Sequence, residues 1–206
     1  MNSPEAIFDT LFIGQRLQRK IEDFSQYEIQ FFAYFSCLLS LYEGNTVEDW
    51  KYSFVKTELG SPYSIDIDAS IQTLLASGKL SQTENSKEYF TINEEGKEFF
   101  NFQNEAASSL ADRKNYLTTA CDTISLTPFG IIKEAIGNEP VLYSAKNSLS
   151  KKGLLEMSSP ATKVLYSQFK DLKLALENKY QNLLIPAMVW IEFLVKSKTH
   201  SVNDSQ

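Results

Sequence analysis

The sequence has very few of the residues from which metal sites and nucleophilic active sites are built. Its 206 residues include one histidine, His200, and two cysteines, Cys37 and Cys121. A structural zinc site uses about four Cys or His ligands, and a Ser–His or Cys–His pair would have to recruit His200 from a polar C-terminal end. We therefore expect no metal ion, no catalytic residues and no enzymatic activity.

Glycine is also scarce, and no phosphate-binding loop can be recognised. The 8 glycines are scattered and form neither GxxxxGK[ST] nor GxGxxG, so we expect no nucleotide cofactor. The closest carboxylate pairs are Asp66/Asp68 and Glu94/Glu95, which could hold a hard cation or act in hydrolysis. Both pairs fall at predicted helix starts, where acids favour the positive end of the helix dipole, and we prefer this structural interpretation.

Long hydrophobic runs and a leader sequence are missing as well. The N-terminus, MNSPEAIFDT, has no basic segment followed by an apolar one, and the most apolar run, residues 29–42, has 14 residues. A membrane span needs about 20. Both cysteines lie in apolar segments, so we expect buried, reduced thiols. Together these features predict a soluble, cytoplasmic protein without membrane contact.

The composition that remains is that of a globular, mainly α protein, with 43% hydrophobic and 22% charged residues. An N-terminal helical arm, residues 1–24, opens with Ser3 and Pro4 as start signals. This arm packs either on its own chain or on a partner. Ser25 and Glu28 then form a capping box before a central apolar helix that ends at Gly44.

The next segments predict a winged helix-turn-helix domain over residues 25–104, made of three helices and a β-hairpin wing. A generic three-helix domain with an incidental hairpin is the alternative. The elements are the central helix, a short helix over residues 46–54 with Val47, Trp50 and Phe54 inward, a helix over residues 64–77, strands over residues 80–83 and 88–92, and a helix capped by Asn93.

An all-helical C-terminal half, residues 105–195, is predicted to follow, with a polar tail over residues 196–206. Pro186 is expected to kink or split the last apolar segment, because proline removes a backbone donor inside a helix. The predicted helices cover residues 110–124 and 128–136, a segment starting at Asn138-Glu-Pro140, and residues 160–184 and 187–195.

The charge of the winged half does not suit nucleic acid. Residues 1–103 carry 8 Lys+Arg and 16 Asp+Glu, a net charge of −8, whereas residues 104–206 carry a net charge of +2. The segment in the position of a recognition helix, residues 64–77, has Asp66 and Asp68 in its first turn and no basic residue before Lys79. Duplex DNA carries about one negative charge per 1.7 Å, so sequence-specific binding through this helix is disfavoured.

A few basic and aromatic residues could still belong to a contact surface. Isolated lysines are usually solvated, and Glu22 and Asp23 offset the N-terminal basic cluster, so we do not expect a phosphate-binding patch. Large apolar side chains are interpreted either as core or as protein-contact residues. The basic candidates are Lys87, Lys151-Lys152 and Arg16/Arg19/Lys20; the apolar ones are Trp50, Trp190, Phe193 and the stripe Ile7/Phe8/Leu11/Phe12.

Three stretches carry a family resemblance: YEIQFFAYFSCLLSLYEGNTVEDWKYSFVKTELGSPYSIDIDASIQTLLASGKL, YLTTACDTISLTPFGIIKEAI and LLIPAMVWIEFLV. They resemble the middle component of bacterial ABC-three-component defence systems, of which the Lamassu-type anti-phage and anti-plasmid systems are the best known. The similarity covers most of residues 27–195. Its motifs, which include Tyr52-Ser-Phe54 and Ser61-Pro-Tyr63, are aromatic and structural. These two motifs can be interpreted equally well as core and turn residues.

The resemblance implies a non-enzymatic accessory subunit that bridges an SMC-like ATPase and an effector, often a nuclease, with any DNA contact made indirectly or through the complex. An acidic winged helix agrees with protein docking. Two alternatives stay open: a winged-helix transcription regulator with a helical dimerisation half, and an enzyme, which would need an active site that the residue inventory does not offer.

Overall fold

Helices make up most of the chain in the computed structural model, and its strands form one small antiparallel sheet and a separate hairpin. The structure describes residues 3–83, 86–106, 110–146, 153–177, 179–180 and 182–203. The helices are α1 (Pro4–Ile21), α2 (Gln26–Glu43), α3 (Ile65–Ala76), α4 (Glu94–Ala106), α5 (Ala111–Asp122), α6 (Phe129–Ile136), α7 (Pro140–Lys146), α8 (Pro160–Ala175) and α9 (Leu184–Asn203). The strands are β1 (Phe24–Ser25), β2 (Val55–Lys56), β3 (Pro62–Tyr63), β4 (Leu80–Thr83) and β5 (Ser86–Ile92).

The first two helices begin at the predicted start signals. The Ser3 hydroxyl accepts a hydrogen bond from the N–H of Ala6, and Pro4 occupies the first helical position. At α2 the capping box is complete, because the Ser25 hydroxyl accepts from the N–H of Glu28 while the Glu28 carboxylate accepts from the N–H of Ser25 at 2.7 Å. Residues 29–42 of α2 are all buried, which confirms a central core helix.

The sheet joins a strand that the sequence did not predict to a hairpin that it did. β4 and β5 pair antiparallel as the predicted hairpin, and β1 pairs with the other edge of β5, with Phe24 opposite Phe90. The strand order is β1-β5-β4. Because β1 lies between α1 and α2, this pairing places the ends of both helices beside the hairpin.

The predicted short helix over residues 46–54 is wrong. Only a single 3₁₀ turn, Glu48–Trp50, forms there, and the chain then extends into β2, which pairs with β3. Trp50, Tyr52 and Phe54 are buried while the residues between them are exposed. Burial of every second residue is the pattern of an extended chain. The predicted helix depended on the helical spacing of Val47, Trp50 and Phe54, and the extended pattern is the one that the structure adopts.

The second half is helical as expected, but one predicted helix is shorter than the sequence indicated. α8 ends at Ala175, Glu177 adopts a positive φ of 52°, and α9 begins at Leu184. The break therefore precedes Pro186, which lies in the first turn of α9, where a backbone N–H has no helical partner in any case. α9 continues to Asn203, so most of the predicted polar tail is helical.

One cluster of buried apolar side chains extends from α1 to α9. α1 packs against α2, α3, α4, α5 and β5, so the N-terminal arm is part of its own chain's core. The two halves also meet where Leu154 donates a backbone hydrogen bond to the carbonyl of Phe54. The predicted domain boundaries stay a prediction.

A buried ion pair lies at the junction of these parts. Asp9 on α1 and Arg113 on α5 form a two-pronged contact in which the Nε and Nη2 of Arg113 donate to the Asp9 carboxylate at 2.7 and 2.6 Å. The hydroxyl of Tyr52 donates to the same carboxylate at 2.5 Å. The guanidinium also donates to the carbonyl of Trp50 and stacks on its ring, with 3.8 Å from Cζ to the ring centroid.

The environment keeps Arg113 charged and Tyr52 neutral. Burial alone would lower the pKa of Arg113, but the Asp9 carboxylate overcomes that effect and the net shift is upward. Burial, followed by the nearby Asp9 charge, raises the pKa of Tyr52 well above its ordinary value, so Tyr52 acts as a neutral donor. Since the polar atoms of the pair find partners within the core, the cost of removing two charges from water is offset.

Replacing Asp9 with alanine should lower the free energy of unfolding by about 3–5 kcal/mol, because it leaves the Arg113 charge buried without its partner. Urea denaturation followed by far-UV circular dichroism measures this change. The matched control is Asp122→Ala, which removes the partly exposed contacts of Arg16 and Lys20 and should cost about 1 kcal/mol or less. Equal losses in the two variants would contradict the importance of the buried pair.

Candidate protein interface

The start of α3 is held by a side chain of the central helix. Gln30, buried on α2, accepts from the N–H of Ser64 at 2.7 Å and donates to its carbonyl at 3.0 Å. Gln26, one turn earlier on α2, donates to the Asp68 carboxylate at 2.7 Å. Because both contacts come from the same helix, the orientation of the first turn of α3 follows that of α2.

The exposed face of α3 is apolar and acidic. Ile67, Ile71 and Leu74 are buried as predicted, and Ile65 in the first turn is 70% exposed. Asp66 and Asp68 lie in that turn, as the helix-start interpretation predicted, and the segment from Ser64 to Gly78 has no Lys or Arg. This turn therefore presents one exposed apolar side chain, Ile65, beside two partly buried carboxylates, of which that of Asp68 is bonded to Gln26.

The hairpin adds little positive charge beside α3. Lys87 on β5 is exposed, but its neighbour Glu88 is exposed too. Lys79, at the start of β4, has its Nζ 5.0 Å from the centroid of the Phe99 ring. The carboxylates of Glu94 and Glu95 lie in the first turn of α4, as predicted, and Lys97 bonds to Glu94.

Two of the three residues of the N-terminal basic cluster, Arg16 and Lys20, are engaged with α5, and Arg19 is exposed. Arg16 donates to the Thr118 hydroxyl at 3.2 Å and lies 3.6 Å from the Asp122 carboxylate. Lys20 donates to that carboxylate at 3.1 Å and also bonds to Ser125. These contacts tie α1 to α5. The other basic candidate, Lys151-Lys152, lies outside the described residues.

Most of the large apolar candidates belong to the core. Trp50, Trp190, Phe8, Leu11 and Phe12 are buried, and Ile7 is partly buried. Tyr52 and Phe54 are core residues, and Ser61-Pro-Tyr63 leads from a turn into β3. Phe193 is 48% exposed, so among these residues the contact interpretation stays a prediction for Phe193.

Phe193 borders a groove between α8 and α9, called here the α8–α9 groove. It has a volume of about 350 Å³ and is lined mainly by apolar side chains, including Leu172, Ala175, Val189 and Trp190. The indole N–H of Trp190 has no hydrogen-bond partner among the described residues. The chain therefore has a second surface, distinct from α3 in position and in charge.

The described residues offer little acid–base or metal chemistry. No group of three or more His, Cys, Asp or Glu side chains within them is arranged to hold a metal ion. Cys37 and Cys121 are free and buried, as predicted, and burial raises the pKa of both thiols, which keeps them protonated. The side chain of His200 lies outside the described part of the structure.

Glu139 is the buried acid that sequence reasoning missed. It is fully buried at the start of α7, where its carboxylate accepts from the N–H groups of Val141 and Leu142 at 2.8 and 2.5 Å. The hydroxyl of Tyr34 on α2 donates to it at 2.8 Å. Burial raises the pKa of Glu139 to about 7, although the backbone donors oppose the shift. A general acid could have such a pKa, but these contacts give Glu139 a helix-capping role.

None of the helices in the described ranges combines the length and the apolar content that crossing a bilayer requires.

Comparison with protein-family models, with curated proteins and with solved structures found no match to this chain.

The stability of the protein should fall as the pH rises through the titration of Glu139. The folded-state pKa of about 7 lies above the ordinary value of 4.5, so the folded state binds the proton more tightly and is favoured at low pH. The loss between the two pKa values amounts to about 3 kcal/mol. Urea unfolding at a series of pH values measures it.

Glu139→Gln should remove this contribution to the pH dependence, because the amide keeps an acceptor for Tyr34 without titrating. Glu98→Gln, an exposed substitution on α4, is the matched control and should leave the slope unchanged. A slope that is the same in all three proteins would show that Glu139 does not titrate in this range.

Proposed function

We propose that the chain is a non-enzymatic accessory subunit of an SMC-like ATPase complex in the cytoplasm, where it bridges the ATPase and an effector such as a nuclease in defence against phage or plasmid DNA. The observation that carries this proposal is the exposed face of α3. Its first turn exposes Ile65 beside the partly buried Asp66 and Asp68 and has no basic residue, which suits contact with a polypeptide and opposes contact with a polyanion.

We propose that α2, α3 and the β4–β5 hairpin form the protein-docking winged helix predicted over residues 25–104, and that α1, predicted as a separate arm, takes the place of the helix over residues 46–54 that does not form. The hairpin follows α3 directly, and β1 completes the sheet in the order β1-β5-β4. A helix-turn-helix joins its helices by about three or four residues, whereas here the 3₁₀ turn and the β2–β3 hairpin stand between α2 and α3. The proposal is therefore a winged helix with an inserted hairpin.

Charge supports protein docking over duplex recognition. The half that contains α3 has a net charge of −8, and the basic side chains of Arg16 and Lys20 are paired with Asp122. Binding to DNA depends on unpaired cations that displace counterions from phosphates. A transcription regulator would need several such cations, whereas α3 has none and the wing strands carry one exposed lysine, Lys87, beside the exposed Glu88.

The isolated chain should bind duplex DNA no more tightly than about 10⁻⁴–10⁻⁶ M, the range of non-specific binding. Fluorescence anisotropy with a mixed-sequence duplex and with the DNA upstream of its own gene measures this. Asp66→Lys/Asp68→Lys should raise the affinity at least tenfold, because it reverses the charge of the α3 face.

The matched control is Glu43→Lys/Glu48→Lys, which makes the same change in net charge near the far end of α2 and should raise the affinity less. Nanomolar, sequence-specific binding by the unaltered chain would favour the transcription regulator instead. Equal gains in the two variants would show that net charge alone, and not the α3 face, decides DNA binding.

A tagged full-length chain purified from its native host should bring with it an SMC-like ATPase and a separate effector protein, identified by mass spectrometry. Ile65→Lys should reduce recovery of the partner that contacts α3 about tenfold, because it places a charge at the centre of an apolar contact. Phe102→Lys, at a residue that is 71% exposed on α4, is the control. Recovery of the chain alone would overturn the proposal.

A further inference from the structure

A cleft lies beside the start of α3, and we call it the β3–β5 cleft. It is lined by the β2–β3 hairpin, by β5 and by the start of α2, and it has a volume of about 420 Å³. β3 leads directly into α3, so the cleft adjoins the α3 face. The residues that line it include Tyr27, Leu59, Pro62, Tyr63, Glu88 and Phe90.

The lining of the β3–β5 cleft is largely aromatic and apolar. Tyr27 and Tyr63 are half-buried, and Pro62 and Phe90 are buried. Leu59 is 95% exposed on the turn of the hairpin. Aromatic-lined grooves are sites at which extended, proline-rich segments of other proteins dock, because such segments lose little conformational freedom when they bind.

The turn that carries Leu59 is held by its own hydrogen bonds. The N–H of Thr57 donates to the carbonyl of Ser61 at 2.8 Å, and the N–H of Ser61 donates to the Thr57 hydroxyl at 3.0 Å. Gly60 supplies the positive φ of 80°, a conformation that glycine adopts without strain. This wall of the cleft is therefore formed before any partner binds, which lowers the entropy cost of binding.

The rim of the β3–β5 cleft is acidic. Glu88 lines the cleft and is exposed, and Glu58 is exposed on the hairpin turn. The Asp68 carboxylate accepts hydrogen bonds from Gln26, at 2.7 Å, and from Tyr63, which both line the cleft. These donors are neutral, and none of the ion pairs among the described residues includes any of the three acids. A basic ligand would complement this rim.

We propose that the β3–β5 cleft binds an extended, proline-rich segment of a partner protein, and that this segment carries lysine or arginine. Its prolines and apolar side chains would pack against the aromatic lining, and its cations would face the three rim acids. The same acids oppose an acidic segment or a nucleic acid, since the lining offers one exposed cation, Lys87, against them.

In assigning this segment to a partner subunit we rely on the proposed function. Tyr63, which lines the cleft, is two residues from the exposed Ile65 of α3. A segment bound in the cleft would therefore extend the contact on α3 into one continuous interface. The binding of a basic segment itself does not depend on which complex the chain joins.

Fluorescence anisotropy of labelled synthetic peptides measures this binding on the full chain alone. The basic peptide RPLPRPLPR should bind, and the acidic peptide EPLPEPLPE should bind at least about tenfold more weakly because the rim repels it. Binding of the basic peptide should weaken as the NaCl concentration rises, since exposed charges are screened. No binding of the basic peptide at about 300 µM protein, or equal binding of the two peptides, would overturn the proposal.

Glu58→Lys/Glu88→Lys should weaken binding of the basic peptide at least about tenfold, because it reverses two of the rim charges. The matched control is Glu98→Lys/Glu105→Lys, which makes the same change in net charge at two exposed residues of α4 and should weaken binding less. Equal losses in the two variants would show that net charge alone attracts the peptide, and the cleft would be the wrong site.

Leu59→Ala separates the apolar contact from the charges. Leu59 is 95% exposed, so its removal should leave the fold intact while it weakens peptide binding about threefold or more through lost apolar contact. Phe102→Ala, at a residue that is 71% exposed on α4, is the control and should leave binding unchanged. An unchanged affinity in Leu59→Ala would contradict the placement of the peptide in the cleft.

Failure of this proposal can be told from failure of the proposed function. If the tagged chain recovers the ATPase and the effector from its host, and Glu58→Lys/Glu88→Lys recovers them equally well, the cleft does not hold the partner segment and the proposed function stands. If the basic peptide binds as described but the chain is recovered alone, the cleft is supported and the proposed function is overturned.

Discussion

The contact between Asp9 and Arg113 connects parts of the chain that are 104 positions apart, and it lies where α1, α5 and the segment after α2 meet. Two charges withdrawn from water are costly unless their polar atoms are satisfied. Here Tyr52 and the carbonyl of Trp50 supply the remaining hydrogen bonds, so the segment after α2 must pass between α1 and α5. Apolar contacts alone would allow these three segments to shift relative to one another. We expect the directional hydrogen bonds of the ion pair to fix their relative positions.

α1 connects the ion pair to the candidate interface on α3. Gly14 on α1 approaches the sheet so closely that a Cβ there would lie 2.8 Å from the ring of Phe24. α1 also packs against α3, whose first turn is held by Gln30 on α2. The acidic face of α3 thus rests on a framework that the ion pair and this close approach keep in position, which favours binding without a large rearrangement.

The parts of the structure that the sequence predicts well are those with local signals. The capping box at Ser25 and Glu28, the cap at Asn93 and the glycine end of α2 are confirmed because each depends on residues within one helical turn. The helix expected over residues 46–54 fails because an extended chain buries Trp50, Tyr52 and Phe54 together. The apolar residues of that segment fit both a helical period and the alternating period of a strand. Burial against distant parts of the chain favours the alternating one.

The ion pair and Glu139 could not be found from the sequence alone, for a related reason. Arg113 lies among polar neighbours on α5, so no local pattern distinguishes it from a solvated charge. Asp9 lies between the apolar pairs Ile7-Phe8 and Leu11-Phe12, which hints at burial but does not identify its partner. For Glu139 a weak signal exists, since the acid directly precedes Pro140 at the start of α7, where a carboxylate can accept from free N–H groups. That signal indicates a cap but says nothing of burial.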